Sequence, residues 1–86
     1  MKIRVVVTGR SYHAAEGLPA ELELQQGGRV DDALRLLGDR LPAGQQLPAT
    51  ALLAVSGQHL GTVASHENRP LHEGDELVLL APVAGG

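Results

Sequence analysis

The sequence contains no cysteine, no phenylalanine and no tryptophan, with Tyr12 as its only aromatic residue and Lys2 as its only lysine. The missing thiols exclude a disulfide framework, a thiolate metal site and a side-chain sulfur nucleophile. The missing aromatics demand an aliphatic core and remove the ring faces on which proteins stack bases and sugars. Basic residues are scarce as well: seven Lys and Arg stand against ten Asp and Glu, for a formal net charge of −3. No nucleic-acid partner is expected, because phosphate binding needs a cationic face. A basic groove on another protein suits such a surface better. No apolar run approaches the roughly 20 residues of a membrane span, and the run that follows Met1 is too short for a signal-peptide core. The expectation is a soluble cytoplasmic protein with no membrane partner.

What is present is one domain's worth of chain, residues 1–86, with 43% hydrophobic residues to build one modest core. "KIRVVVT" (2–8) is β-branched and stops at Gly9, so it reads as a strand. Period two places Ile3, Val5 and Val7 on one face and Arg4, Val6 and Thr8 on the other. After a loop from 9 to 19, "AELELQ" (20–25) alternates again, with Leu22 and Leu24 facing inward, and returns beside the first strand. At Gly27-Gly28 the period changes. Val30, Ala33, Leu34, Leu37 and Leu41 fall three and four apart, the stripe of an amphipathic helix. Asp31 and Asp32 lie in its first turn, Asp31 in a position to cap, and Arg40 in its last. "ALLAV" (51–55) is a strand, "SGQ" (56–58) a turn into a short return through "HLGTV", and "ELVLLA" (76–81) the last strand. Between them lies a polar loop anchored by Leu71. One helix with one apolar stripe needs one sheet to lie across, an α+β roll in which the first and last strands are neighbours.

No catalytic constellation emerges. His13, His59, His66 and His72 stand singly in loops or beside turns and read as solvated. None has the spacing that puts two imidazoles on one metal, and no metal site is expected. Ser11, Ser56 and Ser65 lack a nucleophile elbow, and the Ser11–His13 neighbourhood is only local proximity. Gly27-Gly28 matches no phosphate-binding loop and reads as turn glycine. The chain is not expected to be catalytic by itself.

The ending "APVAGG" (81–86) is the unusual stretch. Gly85 and Gly86 have no side chains, so backbone can enter a channel too narrow for any other residue. Pro82 fixes its own φ and aims the chain outward, and Val83 offers an apolar anchor at a channel mouth with Ala84 behind it. The four residues after Pro82 reach about 13 Å when extended. The segment 82–86 is expected to be a flexible tail that delivers the α-carboxylate of Gly86.

The stretch "EGDELVLLAPVAGG" (73–86) resembles the ending of the MoaD/ThiS family of ubiquitin-like sulfur carriers, most closely the small subunit of molybdopterin synthase. "LLAVSGQHL" (52–60) is similar to that family's hairpin and "RPL" (69–71) to its approach to the last turn; "MKIRV" and "GGRVDDALRLL" agree in place and pattern. Three departures stand out. The first strand runs into "TGRSYHAAEG" rather than an aromatic and an arginine-rich turn, Ser56 occupies the hairpin position that is usually Asn, and Ala81 replaces one of two usual prolines.

The resemblance implies a β-grasp (ubiquitin-like) roll, a mixed sheet of four to five strands packed on one main helix. It implies that Gly86 is adenylated with ATP and converted to a thiocarboxylate, which gives up its sulfur to a pterin precursor in molybdenum cofactor biosynthesis, or to thiamin, cysteine or another thio-metabolite. No bound cofactor is implied; the acyl-adenylate is transient. The implied partners are an E1-like adenylating enzyme of the MoeB/ThiF type and a sulfur-acceptor enzyme such as a molybdopterin synthase large subunit. If Leu77 and Leu79 face the helix, Val78 and Leu80 face outward beside Val6, and with Leu60 they form an expected docking face. Two other readings remain open: a protein modifier that forms an isopeptide bond, and a β-grasp binding module whose tail carries no chemistry.

Overall fold

Alternating faces build the sheet of the protein, whose computed structural model describes residues 1–8, 18–41, 44 and 46–80. β1 (Lys2–Thr8) buries Ile3 and Val5 and half-buries Val7, while Arg4, Val6 and Thr8 face out, as period two requires. β2 (Glu21–Glu23) lies antiparallel to it with Ile3 opposite Leu22. Its regular span is shorter than the alternation from 20 to 25 suggests, although single bonds extend the pairing: Val5 N–H donates to Ala20 O and Leu24 N–H to Met1 O.

The helix, α1 (Val30–Asp39), buries Val30, Ala33 and Leu37. Leu34 is half-buried beside them, and Leu36, outside the expected stripe, also packs against the core. Asp31 does not cap. The N-cap is Arg29, whose backbone N–H donates to Asp32 Oδ2 at 2.8 Å. Arg40 is the C-cap rather than a member of the last turn, which contains no basic residue.

β3 (Leu52–Val55) and β4 (Gln58–Thr62) form a hairpin around Ser56-Gly57. Val55 pairs with Gln58, so the loop has two residues, with φ of 48° and 87°. Two successive left-handed residues mark a type I′ turn, whose twist matches that of the strands. This is why Asn suits the first position so well: it tolerates left-handed φ better than serine does.

β5 (Glu76–Leu80) then inserts between β1 and β3, parallel to the first and antiparallel to the second, giving the order β2-β1-β5-β3-β4. The first and last strands are neighbours, as expected. Five strands of mixed direction over one helix make the β-grasp arrangement.

The inner face of that sheet meets α1 in one aliphatic cluster, with Leu53, Leu77, Leu79 and Leu37 all at 1% exposure or less. Leu71 anchors the polar loop into it as expected. Leu77 lies in the central strand with covered neighbours on both sides, which leaves the site little freedom to collapse. Replacing it with alanine (Leu77→Ala) is expected to cost about 2–5 kcal/mol in a urea unfolding curve. The conservative Leu77→Met is expected to cost less than about 1.5 kcal/mol.

Candidate functional site

The expected reactive and threading residues, Pro82, Val83, Ala84, Gly85 and Gly86, lie outside the described residues, as do Ser11, Tyr12 and His13. What the structure places is the surface from which the chain runs toward them. β5 finishes at Leu80, in the middle of the sheet and on its outer face.

Around that point the outer face is apolar. Val6 is 40% exposed and Leu80 45%, and Val78, level with Val6, is half-buried. The register joins them, with Val6 opposite Val78 and Thr8 opposite Leu80 across β1–β5. On the other side of β5, Leu80 is opposite Leu52, which is 43% exposed, and Val78 is opposite Ala54. Direct cross-strand neighbours touch, so Val6, Val78, Leu80 and Leu52 form one patch across three strands.

Leu60 is not part of it. Its side chain is buried in the core at 8% exposure. The two-residue turn sets Gln58 opposite Val55, cross-strand partners share a face, and Leu60 lies two residues beyond Gln58 on that same inward side. A bulge follows, because Ala54 pairs with His59 and Leu53 with Gly61, leaving Leu60 as the extra residue. Leu52 is the residue that sequence reasoning missed. Its signal was available: alternation within "LLAV" puts Leu52 opposite in sense to the buried Leu53.

At the other end of the sheet, where β5 begins, the same face is charged. Arg4 and Glu76 approach to 3.6 Å and Lys2 and Glu21 to 3.7 Å. These pairs are exposed, so each contributes little to stability. Their effect is to confine the apolar surface to the tail-bearing end.

The position of β5 is pinned at its start by Ser56 and Asp75. Ser56 Oγ donates to Asp75 Oδ1 at 2.9 Å, His72 N–H donates to Asp75 Oδ2 at 2.8 Å, and Ser56 N–H donates to Glu76 O at 2.8 Å. The hydroxyl also lies 3.3 Å from the Glu76 N–H, which it accepts. Ser56 is thus a worse turn residue than Asn but a direct tie between the hairpin and the last strand. Burial pushes the Asp75 carboxyl up, but the His72 and Ser56 hydrogen bonds and the nearby His72 and Arg69 charges outweigh it and hold the group below its ordinary value.

Of the histidines, His59 and His72 are exposed, as expected. His66 is not the solvated loop residue that its polar surroundings suggest: only 9% of its side chain is exposed and both ring nitrogens have partners. Among the described residues no group of three His, Asp or Glu is placed to hold a metal ion. Gly27, at φ 85°, turns the chain into the helix, as its position suggested. An open groove lined by Gln25, Gln26, Gly28, Asp32, Arg35 and Leu36 lies beside it, and its Asp32 and Arg35 are bonded to each other. No described helix is long and apolar enough to cross a membrane.

A carboxylate held below its ordinary value stabilises the fold above that value, and its contribution is lost as the pH falls through the folded-state value. The difference in urea midpoint between the protein and its Asp75→Asn variant is therefore expected to be constant near neutrality and to shrink as the pH falls below about 4. A difference independent of pH down to acid unfolding would contradict this.

The family model described as ThiS family matches residues 5–86, nearly the whole chain. No curated protein and no solved structure matches.

Proposed function

This chain belongs to the ThiS family of ubiquitin-like sulfur carriers, and from that premise we propose that its reactive group is the α-carboxylate of Gly86. A carboxylate is a poor electrophile. Attack of its oxygen on the α-phosphorus of ATP releases pyrophosphate and leaves an acyl-adenylate. A sulfur nucleophile supplied by a donor then displaces AMP, and Gly86 ends as a thiocarboxylate. Transfer of that sulfur to an acceptor, with water supplying the replacing oxygen, returns the carboxylate. The carrier needs no cysteine for any of these steps, and it has none.

The observation that carries the reading is the family match running through Gly85-Gly86, which follow the central strand of the sheet in sequence. Proteins of this family work with E1-like adenylating enzymes and with sulfur-acceptor enzymes. Here Val6, Val78, Leu80 and Leu52 supply the surface against which such an enzyme rests, while Pro82, Val83, Ala84 and Gly85 thread into its active site. Six residues follow Leu80, a reach of roughly 20 Å when extended. A partner must therefore place its apolar seat and its reaction centre about that far apart.

The final acceptor we assign is a pterin precursor, with this chain as the small subunit of a molybdopterin synthase, on the likeness of "EGDELVLLAPVAGG" to that subunit's ending. A thiamin precursor is the second reading, favoured by the ThiS description of the family itself.

Intact mass spectrometry tests the chemistry. Incubated with a cognate adenylating enzyme, ATP and a sulfur donor, the protein is expected to gain the mass difference between one sulfur and one oxygen atom. Deleting Gly86 is expected to abolish the gain. Conjugates to lysines of larger proteins, in place of that gain, would make the chain a modifier. Substitution of Leu80 by aspartate (Leu80→Asp) is expected to slow the reaction at limiting enzyme by about tenfold or more without unfolding the domain.

A further inference from the structure

Beyond β4, the segment between β4 and β5 is strapped across the start of α1. Val30 N–H donates to Arg69 O at 3.0 Å, Leu71 N–H to Gly28 O at 2.9 Å, and Asp31 N–H to Asn68 Oδ1 at 2.9 Å. His66 stands where this strap begins. The chain reaches it by curling tightly back on β4, and Gly61, at φ 128°, allows the curl: a Cβ there would run into the Ser65 carbonyl.

The His66 ring lies between two sets of acceptors. Nδ1 is 2.8 Å from Thr62 O and 3.1 Å from Val63 O, and Nε2 is 2.6 Å from Asp31 Oδ1. Carbonyl oxygens only accept, so Nδ1 must carry a hydrogen, and an ionised carboxylate likewise only accepts. A neutral imidazole has one N–H. With that hydrogen on Nδ1, Nε2 would turn a lone pair toward the Asp31 carboxylate. Both bonds form together only when the ring holds two protons.

The charged groups along the surrounding elements are Arg29, Asp31 and Asp32 on the helix, His59 on β4, and Glu67 and Arg69 on the strap. Asp32 bonds Arg35, Arg29 bonds the Asn68 carbonyl and Arg69 bonds Gln58, and Asp31 is the carboxylate within hydrogen-bond distance of the ring. The positive end of the helix dipole opposes a cation here, and Asp31 is the group that offsets it.

We propose that His66 and Asp31 form a proton-dependent latch that closes the β4–β5 strap onto the first turn of α1. The closed latch holds one proton more than the neutral ring does. Its contribution is therefore present at acidic pH and lost as the pH rises through the range in which imidazoles titrate.

Asp31→Asn provides the test because it rewires the latch. The amide can donate to a bare Nε2 while Nδ1 keeps its hydrogen and its carbonyls, so the contact no longer needs the second proton. Thermal midpoints and ring nitrogen NMR shifts of both proteins are to be measured between pH 5 and 8. The midpoint of the unmodified protein is expected to fall, relative to Asp31→Asn, across that range. Every other residue is common to both proteins, so its contribution cancels in the comparison. A midpoint difference that does not change with pH would overturn the latch, as would a His66 ring with one bare nitrogen at pH 5. If Asp31→Asn does not fold, His66→Gln replaces it: loss of the pH slope supports the latch, and an unchanged slope overturns it.

Discussion

The fold rests on the pairing of β1 with β5, strands from opposite ends of the described chain. Arg4 through Thr8 lie in parallel register against Glu76 through Leu80, and β5 is bonded on its other side by β3. Until β5 inserts, β1–β2 and β3–β4 are two separate hairpin-like pairs, each with an unprotected edge, and α1 has no complete surface to cover. Closing a loop of that length costs entropy before any contact repays it. The reward comes from burying Leu77 and Leu79 against Ile3, Val5, Leu53 and Leu37. The same insertion places β5 at the middle of the sheet rather than at its margin.

Central placement explains the division of the outer face. A strand at the centre of a sheet has its polar backbone satisfied on both sides, so only its outward side chains can recognise anything. On β5 these are Glu76, Val78 and Leu80, and they divide as the face does. Glu76 answers Arg4 at the charged end, whereas Val78 and Leu80 join Val6 and Leu52 at the apolar end. Direction along the strand is thereby translated into a change of surface chemistry, with the apolar end placed where the chain leaves for Gly86.

Much of this was legible because it depends on local periods. The alternation of "KIRVVVT" and "ELVLLA", the helical spacing from Val30 to Leu37 and the turn at Ser56-Gly57 each follow from neighbouring residues alone. Sequence reasoning failed where the answer depended on register or on distant partners. The inward side of Leu60 follows only once Val55 is paired with Gln58, whereas the outward side of Leu52 follows from alternation against Leu53, and only its pairing with Leu80 brings it into the patch. His66 was read from its polar neighbours as solvated, yet its partner Asp31 lies across the fold on the helix. Asp31 in turn was assigned a capping role that belongs to the backbone around Arg29. The family is legible for a different reason, since the ending from Glu73 to Gly86 is a local string.

The parallel register of β1 and β5 also has a mechanical side. Force can be applied to β5 along its own axis from the Leu80 end, where the described strand finishes. Tension directed along parallel neighbours loads all the inter-strand bonds between Arg4–Glu76 and Thr8–Leu80 together, in shear, instead of opening them one at a time. Antiparallel β3 on the other flank shares the load through Leu52–Leu80 to Val55–Leu77. A pull on Leu80 along the strand is thus met by both neighbours of β5 at once.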